Sequence, residues 1–251
     1  MSVSANTLFH FTVKQRLEDI LHGGFHASYS KEDISIVTPL ESNLQEVYIP
    51  MVCFCDLPFH QILPHLDFYG HYGIGLRKES WGMKFGICPV HYIPDASMSS
   101  FTINSLASNI VALNKSSHLP EYTNNLFEVY KLIKPFKGKV INRVKGVVSN
   151  SGRKTNRIFY DEREWRFCPP KFPIIPCNEA GEKTYVTANL ALKRDFVKLT
   201  FKPEDVKYII VQTEREIMDF ANIIEKNPKL KSKSRLLISK LISVEQIKAD
   251  F

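Results

Sequence analysis

The run from residue 47 to 56, Val-Tyr-Ile-Pro-Met-Val-Cys-Phe-Cys-Asp, constrains this chain more than any other feature. It is almost wholly apolar, rich in β-branched and aromatic side chains, and stops at Leu57-Pro58, so it reads as a buried strand. A buried strand needs partners on its edges and layers on its faces. Residues 8–12, 72–76, 87–93, 138–148, 157–167, 196–201 and 206–211 supply further strand-like runs. Helical spacing marks 13–22, closed by Gly23-Gly24, then 59–68, 99–113, 121–133 and 213–225, with a last strand–helix pair in 235–251. Residues 31–46 and the Pro-rich 169–176 read as loops, and 149–152 as a turn. Strands and helices do not alternate regularly. This order favours an α+β fold, a mixed, split β-sheet with peripheral helices, over a doubly wound sheet, with residues 1–251 forming one domain.

Composition narrows the function classes. With 44% hydrophobic and 24% charged residues in 251, the chain is neither disordered, coiled-coil nor collagen-like. The N-terminus lacks a basic start followed by an apolar stretch, and no window reaches the roughly 18 apolar residues of a membrane span. Five cysteines, an odd number, suit reduced thiols and a cytoplasmic location. The net charge of +7 is unevenly distributed: residues 131–160 carry six Lys, three Arg and no acid, and 226–240 carry five Lys, one Arg and no acid. The remainder is acidic on balance. Such asymmetry is expected of a surface facing nucleic acid or an acidic partner, and equally of solvated loops. The candidate contacts in the first stretch are Lys137, Lys139, Arg143, Lys145, Arg153, Lys154 and Arg157.

Three segments are dense in chemistry. His10-Phe11-Thr12 puts an imidazole and a hydroxyl on one strand face. Tyr69-Gly70-His71-Tyr72-Gly73-Ile74-Gly75 combines aromatics with glycines, without the spacing of a dinucleotide-binding loop. In Tyr160-Asp161-Glu162-Arg163-Glu164-Trp165-Arg166, strand alternation would put Glu162 and Glu164 on one face and turn Arg163 away. Paired carboxylates raise each other's pKa, and one can then stabilise a developing cation or take a proton from a hydroxyl. That combination serves cleavage of a glycosidic N–C bond. A core role for His10 and an exposed, ion-paired strand at 162–164 are the structural alternatives. Cys53, Cys55, His60, His65 and His71 do not have zinc-site spacing, so no metal is expected.

Phe9-His10-Phe11-Thr12, Val52-Cys53-Phe54-Cys55-Asp56-Leu57-Pro58, residues 69–76 and residues 160–166 occur in this order, and together they resemble the AbiGi family of abortive phage-resistance proteins. The opening H-x-T strand is also similar to that of ADP-ribosyltransferases, including the DarT group of nucleic-acid modifiers. This second resemblance implies an ADP-ribosyltransferase-like fold and NAD as cofactor. It implies that His10 and Thr12 hold the nicotinamide ribose, that Tyr72 or Tyr69 stacks on nicotinamide, and that Glu164, with Glu162, is catalytic. On that basis Glu164→Gln is expected to abolish turnover with the melting temperature nearly unchanged. The AbiGi resemblance also implies an alternative: a non-catalytic antitoxin that binds nucleic acid or a partner toxin through its basic surface.

Overall fold

The computed structural model describes residues 5–38, 45–117, 120–140, 155–170, 172–194 and 197–250. In chain order, Thr7–Thr12 forms β1, Lys14–Gly23 α1, Phe25–His26 β2, Ser28–Asp33 β3, Glu46–Cys55 β4, Leu63–Tyr69 α2 and Tyr72–Arg77 β5. Cys88–Pro89 is β6, His91–Ile93 β7, Met98–Ser117 α3, Pro120–Tyr130 α4, Ile133–Pro135 β8, Lys137–Val140 β9, Thr155–Ile158 β10 and Glu164–Phe167 β11. Ile175–Pro176 is β12, Glu179–Arg194 α5, Lys198–Leu199 β13, Val206–Val211 β14, Arg215–Lys226 α6, Ser234–Ile238 α7, Leu241–Ser243 β15 and Val244–Asp250 α8. The fold is a mixed α+β arrangement.

The main sheet runs β15-β14-β5-β1-β4-β11-β6, with β3 and β12 also paired to β4. Only β14–β15 is parallel within it; the other pairings are antiparallel. The apolar run of the sequence is β4, and its composition follows from its position. Tyr48, Val52 and Phe54 enter a core with Leu8, Ile74, Leu76 and Ile209, closed by Leu17 of α1 and Phe220 and Ile224 of α6. Val47, Ile49 and Met51 point the other way, against Ala107 of α3 and Leu126 and Tyr130 of α4. From Val47 to Cys55 side chains of both faces pack against other elements, which is why this part of the strand is apolar while Glu46 at its exposed start is not. Each fully buried large side chain stabilises the fold by about 1.5–3 kcal/mol. A third cluster joins Phe9, Cys55 and Ile210 to Leu66 of α2 and Ile247 of α8.

Several expected elements differ. The strand expected over 87–93 changes partner at Val90, whose N–H donates to the Glu164 carbonyl while that of His91 donates to Leu132. It is therefore β6 on β11 and β7 on β8. The expected strand over 157–167 is broken by a 3-10 turn, Phe159–Glu162, and by Arg163 at φ 44°, a left-handed conformation that ends strand alternation. Residues 31–33, expected in a loop, belong to β3, and residues 179–194, for which no helix is expected, form α5. The expected strand over 138–148 begins as β9, but 141–148 and the turn at 149–152 lie outside the described residues.

Candidate functional site

A gap in the sheet organises the candidate site. β3 pairs with β4 from Met51 back to Glu46, whereas β1 meets β4 only at Phe9↔Cys55. Between those two neighbours, residues 52–54 of β4 keep, among the described residues, a ladder partner only on the β11 side. A cavity of about 780 Å³ occupies this region and is lined by residues from β1, β3, β4, α2, β8, β11 and the 159–162 turn.

His10, Thr12, Tyr69, Glu162 and Glu164 all line this cavity. They do not share a sheet face. His10 lies opposite Ile74 and Thr12 opposite Tyr72 in the β1–β5 ladder, on the face carrying Leu8 and Phe54. Glu164 lies opposite Cys55, on the face of Phe9 and Phe11. The gap lets both sets border one space. His10 Nδ1 donates to the Cys53 carbonyl at 2.8 Å, which fixes the proton on Nδ1 and leaves Nε2 an acceptor. Burial keeps its pKa below the ordinary value despite that bond.

The two carboxylates converge as expected, but through a different local structure and with a different electrostatic result. Lys134 Nζ donates to Glu162 Oε2 and to Glu164 Oε2, both at 2.8 Å. Arg166 Nε donates to Glu164 Oε1 at 2.7 Å, and Arg166 reaches Glu32 at 2.8 Å. Tyr69 donates to Glu162 Oε1 at 2.5 Å, and Arg157 Nε lies 3.3 Å from the same oxygen. Three carboxylates thus face three cations, and each carboxylate is at most 15% exposed. Burial would raise the Glu164 carboxyl, but Arg166 and Lys134 overcome it and hold the group below the ordinary carboxylate range. The expected mutual elevation of the pair is therefore absent at Glu164, because cations stand closer to it than its neighbouring carboxylate's charge can offset. A carboxylate held this way can stabilise positive charge; it is poorly suited to donating a proton.

Other expectations need correction. Tyr72 does not line the cavity: its hydroxyl donates to Glu216 at 2.8 Å, and its ring packs near Phe220. Only Tyr69, of the two tyrosines considered, borders the space. Arg157 is not a surface contact either, since it pairs with Glu162 and lies 4.4 Å over the Phe68 ring. Lys131 and Lys134, two more charges of the basic stretch, are buried and half-buried respectively, and both are ion-paired. Lys137 is exposed. The side chain of Lys139 and the whole of Arg143, Lys145, Arg153 and Lys154 lie outside the described residues.

Lys134, Arg166 and Glu32 complete the surroundings and are not singled out as site residues by sequence; His65, which the sequence offers only within a set lacking zinc-site spacing, lines the cavity too. Arg166 follows Glu164 at strand spacing, a signal that was available. Lys134 and Glu32 come from distant segments and carry no such signal. Burial raises the thiol pKa of Cys53 and Cys55 well above the ordinary value, so neither is a ready nucleophile. Among the described residues no group of three or more His, Cys, Asp or Glu is placed to hold a metal.

The fold and cleft define a mixed α+β protein with a charge-compensated, aromatic-walled cavity at a gap in its sheet. A family model described as "Putative abortive phage resistance protein AbiGi, antitoxin" matches residues 23–212. The chain belongs to the AbiGi family of abortive phage-resistance proteins. It is 28% identical, over 255 aligned residues, to the abortive phage resistance protein AbiGi of Lactococcus lactis subsp. cremoris, covering 90% of this chain and 99% of that protein. No solved structure matches. Among the described residues, no helix is long and apolar enough to cross a membrane.

Proposed function

We propose that this protein is a cytoplasmic phage-defence factor, one domain of ADP-ribosyltransferase-like fold, that binds NAD in the cleft and transfers ADP-ribose to a nucleic acid or protein. The observation that supports this reading is the cavity itself, which gathers His10, Thr12, Tyr69, Glu162 and Glu164 from three separate parts of the chain. Its size of about 780 Å³ suits a cofactor, and Phe11, Tyr69 and Phe159 give it aromatic walls. Arg16 and Lys193 on its border are suited to phosphates. The residues present therefore fit the group. Bound NAD would supply the ADP-ribosyl group and nicotinamide as the leaving group.

The chain's own residues then have distinct roles. His10 Nε2 accepts a ribose hydroxyl, with the ring held by the Cys53 carbonyl. Tyr69 is fixed by Glu162 and lines the cavity. Glu164 stays ionised and supplies negative charge where positive charge develops, its orientation set by Arg166 and Lys134.

A second reading rests on a specific observation. The carboxylates of the cleft are already matched by cations, an arrangement that also suits a purely structural network, and the family description includes the word antitoxin. On that reading the protein binds a partner toxin or nucleic acid. Growth on induction separates the two. Expression of this gene alone should arrest its host, and Thr12→Val should relieve the arrest. Harmless expression that suppresses the toxicity of a neighbouring gene would instead establish the antitoxin reading. Any nucleic-acid binding through basic residues should weaken steeply with salt.

A further inference from the structure

The second basic stretch, residues 226–240, carries five Lys, one Arg and no acid, charges almost equal in number to the net +7 of the whole chain. Lys131, Lys134 and Arg157 of the first stretch are drawn into ion pairs, but here Lys226, Lys229, Lys231, Lys233 and Arg235 are all exposed. Among the described residues, the one ion pair any of the five makes is Lys233 with Glu204 at 3.6 Å, both partners being more than half exposed. Lys240 turns inward and donates to the Pro203 carbonyl at 2.9 Å. The backbone that carries these cations is tied down from beneath. Asn227, buried at the end of α6, donates from its side chain to the Leu21 carbonyl at 3.0 Å and accepts from the Lys229 N–H at 2.9 Å. Its carbonyl accepts from the N–H groups of Leu230 and Lys231, and Leu230 and Leu237 enter the main core. The five cations are therefore displayed on a fixed frame, not on a free loop. Ser232 and Ser234 join Lys231, Lys233 and Arg235 around a recess where the 3-10 turn Lys231–Lys233 meets α7.

We infer that this face binds the phosphate backbone of a nucleic-acid duplex without reading its sequence. A cluster of exposed cations with so few carboxylates to answer it is neutralised best by a partner that offers several negative charges at regular spacing. Lys, Arg and Ser are side chains that contact phosphates. Lys and Ser are depleted from protein–protein interfaces, whose anchors are mostly aromatic, and residues 226–240 include no aromatic. The same lack leaves no platform for stacking unpaired bases, which favours a duplex over a single strand. A membrane surface would need apolar side chains to insert, whereas Leu230 and Leu237 face inward and leave Leu236 as a single leucine 38% exposed. None of these residues lines the cleft, so the assignment stands apart from the NAD reading.

Fluorescence anisotropy with short DNA and RNA duplexes of mixed sequence tests this. Wild type is compared with Lys231→Gln/Arg235→Gln on this face and with Lys183→Gln/Arg215→Gln, which removes the same charge from α5 and the start of α6. All four side chains are exposed, so both variants should keep the wild-type melting temperature. Wild type should bind at least one duplex, the tighter of the two naming the nucleic acid, with affinity that falls steeply as salt rises. Lys231→Gln/Arg235→Gln should weaken binding about tenfold or more at low salt and reduce the slope of log affinity against log salt by about two, one for each phosphate contact removed. Lys183→Gln/Arg215→Gln should stay within about threefold of wild type. Equal weakening by the two variants would trace binding to net charge and overturn the assignment. Wild type that binds neither duplex, or a Lys231→Gln/Arg235→Gln protein that binds as wild type does, would overturn it too, and either result leaves the NAD reading standing. A single strand bound as tightly as the duplex contradicts it, as does poly-glutamate that displaces the duplex at equal charge, which would make the partner an acidic protein surface. As a second measurement that needs no variant, the backbone amide NMR shifts of wild type should move at 226–240 on adding duplex; movement confined to other residues overturns the assignment.

Discussion

Glu164→Gln removes the negative charge on which both Arg166 and Lys134 converge, leaving the buried Arg166 and the half-buried Lys134 undercompensated. Breaking one side of a buried ion-pair network costs about 3–5 kcal/mol, so urea unfolding should show a loss of that order, not the near-neutral effect that the sequence suggests. Lys134→Met should destabilise comparably, because it strips the cation shared by Glu162 and Glu164. His65 gives the pH dependence. Burial, and then the charges of Arg157 and Lys134, lower its pKa from 6.5 to about 4. Below pH 6.5 the unfolded chain binds a proton that the folded protein does not, so stability falls by about 1.4 kcal/mol per pH unit until the folded pKa is reached. The urea midpoint should decline between pH 6.5 and 4, and His65→Phe should flatten that decline; parallel curves for the two proteins would contradict it. Glu164 has the same sign in a lower window, since its depressed pKa contributes stability above the ordinary carboxylate range and loses it on acidification below that range.

At the scale of elements, α2 is placed by Gly70, which ends it at φ 136°. A Cβ there would lie 1.9 Å from the Thr12 carbonyl oxygen, so Gly70→Ala must push α2 away from β1. Both strain and collision act against it, and the loss should exceed about 1 kcal/mol, read as a melting point lowered by several degrees. Gly73 makes room in a similar way, since a Cβ there would meet the Phe11 ring at 2.9 Å. The glycines of this segment were visible in sequence; the rings they accommodate were not. β1, β4, β5 and β14 were legible because their apolar runs report burial directly. α5 was missed although Asn178 accepts from the Gly181 N–H and Glu179 and Glu182 occupy the first turn, a start signal that the preceding prolines obscured. The pairing of Glu162 with Glu164 was legible, but for the wrong reason: a 3-10 turn and a left-handed Arg163 bring them together, not strand alternation.

At the scale of the molecule, net charge misleads about surface. Lys131, Lys134 and Arg157 belong to the basic stretch by sequence, yet each is ion-paired, with partners drawn from α4 or from the 159–167 region. Local sequence reveals charges, whereas the sheet gap that brings together Glu32, Lys134 and Arg166 is a long-range property. The proposed activity depends on that gap housing a reaction. The most direct test incubates purified wild type and Thr12→Val with labelled NAD and cell lysate, scoring nicotinamide release and label on protein and nucleic acid. Wild type should release nicotinamide and transfer label, and a folded Thr12→Val protein should show a large loss of both. Folded wild type that releases no nicotinamide and transfers no label, with lysate acceptors present, would contradict the proposal.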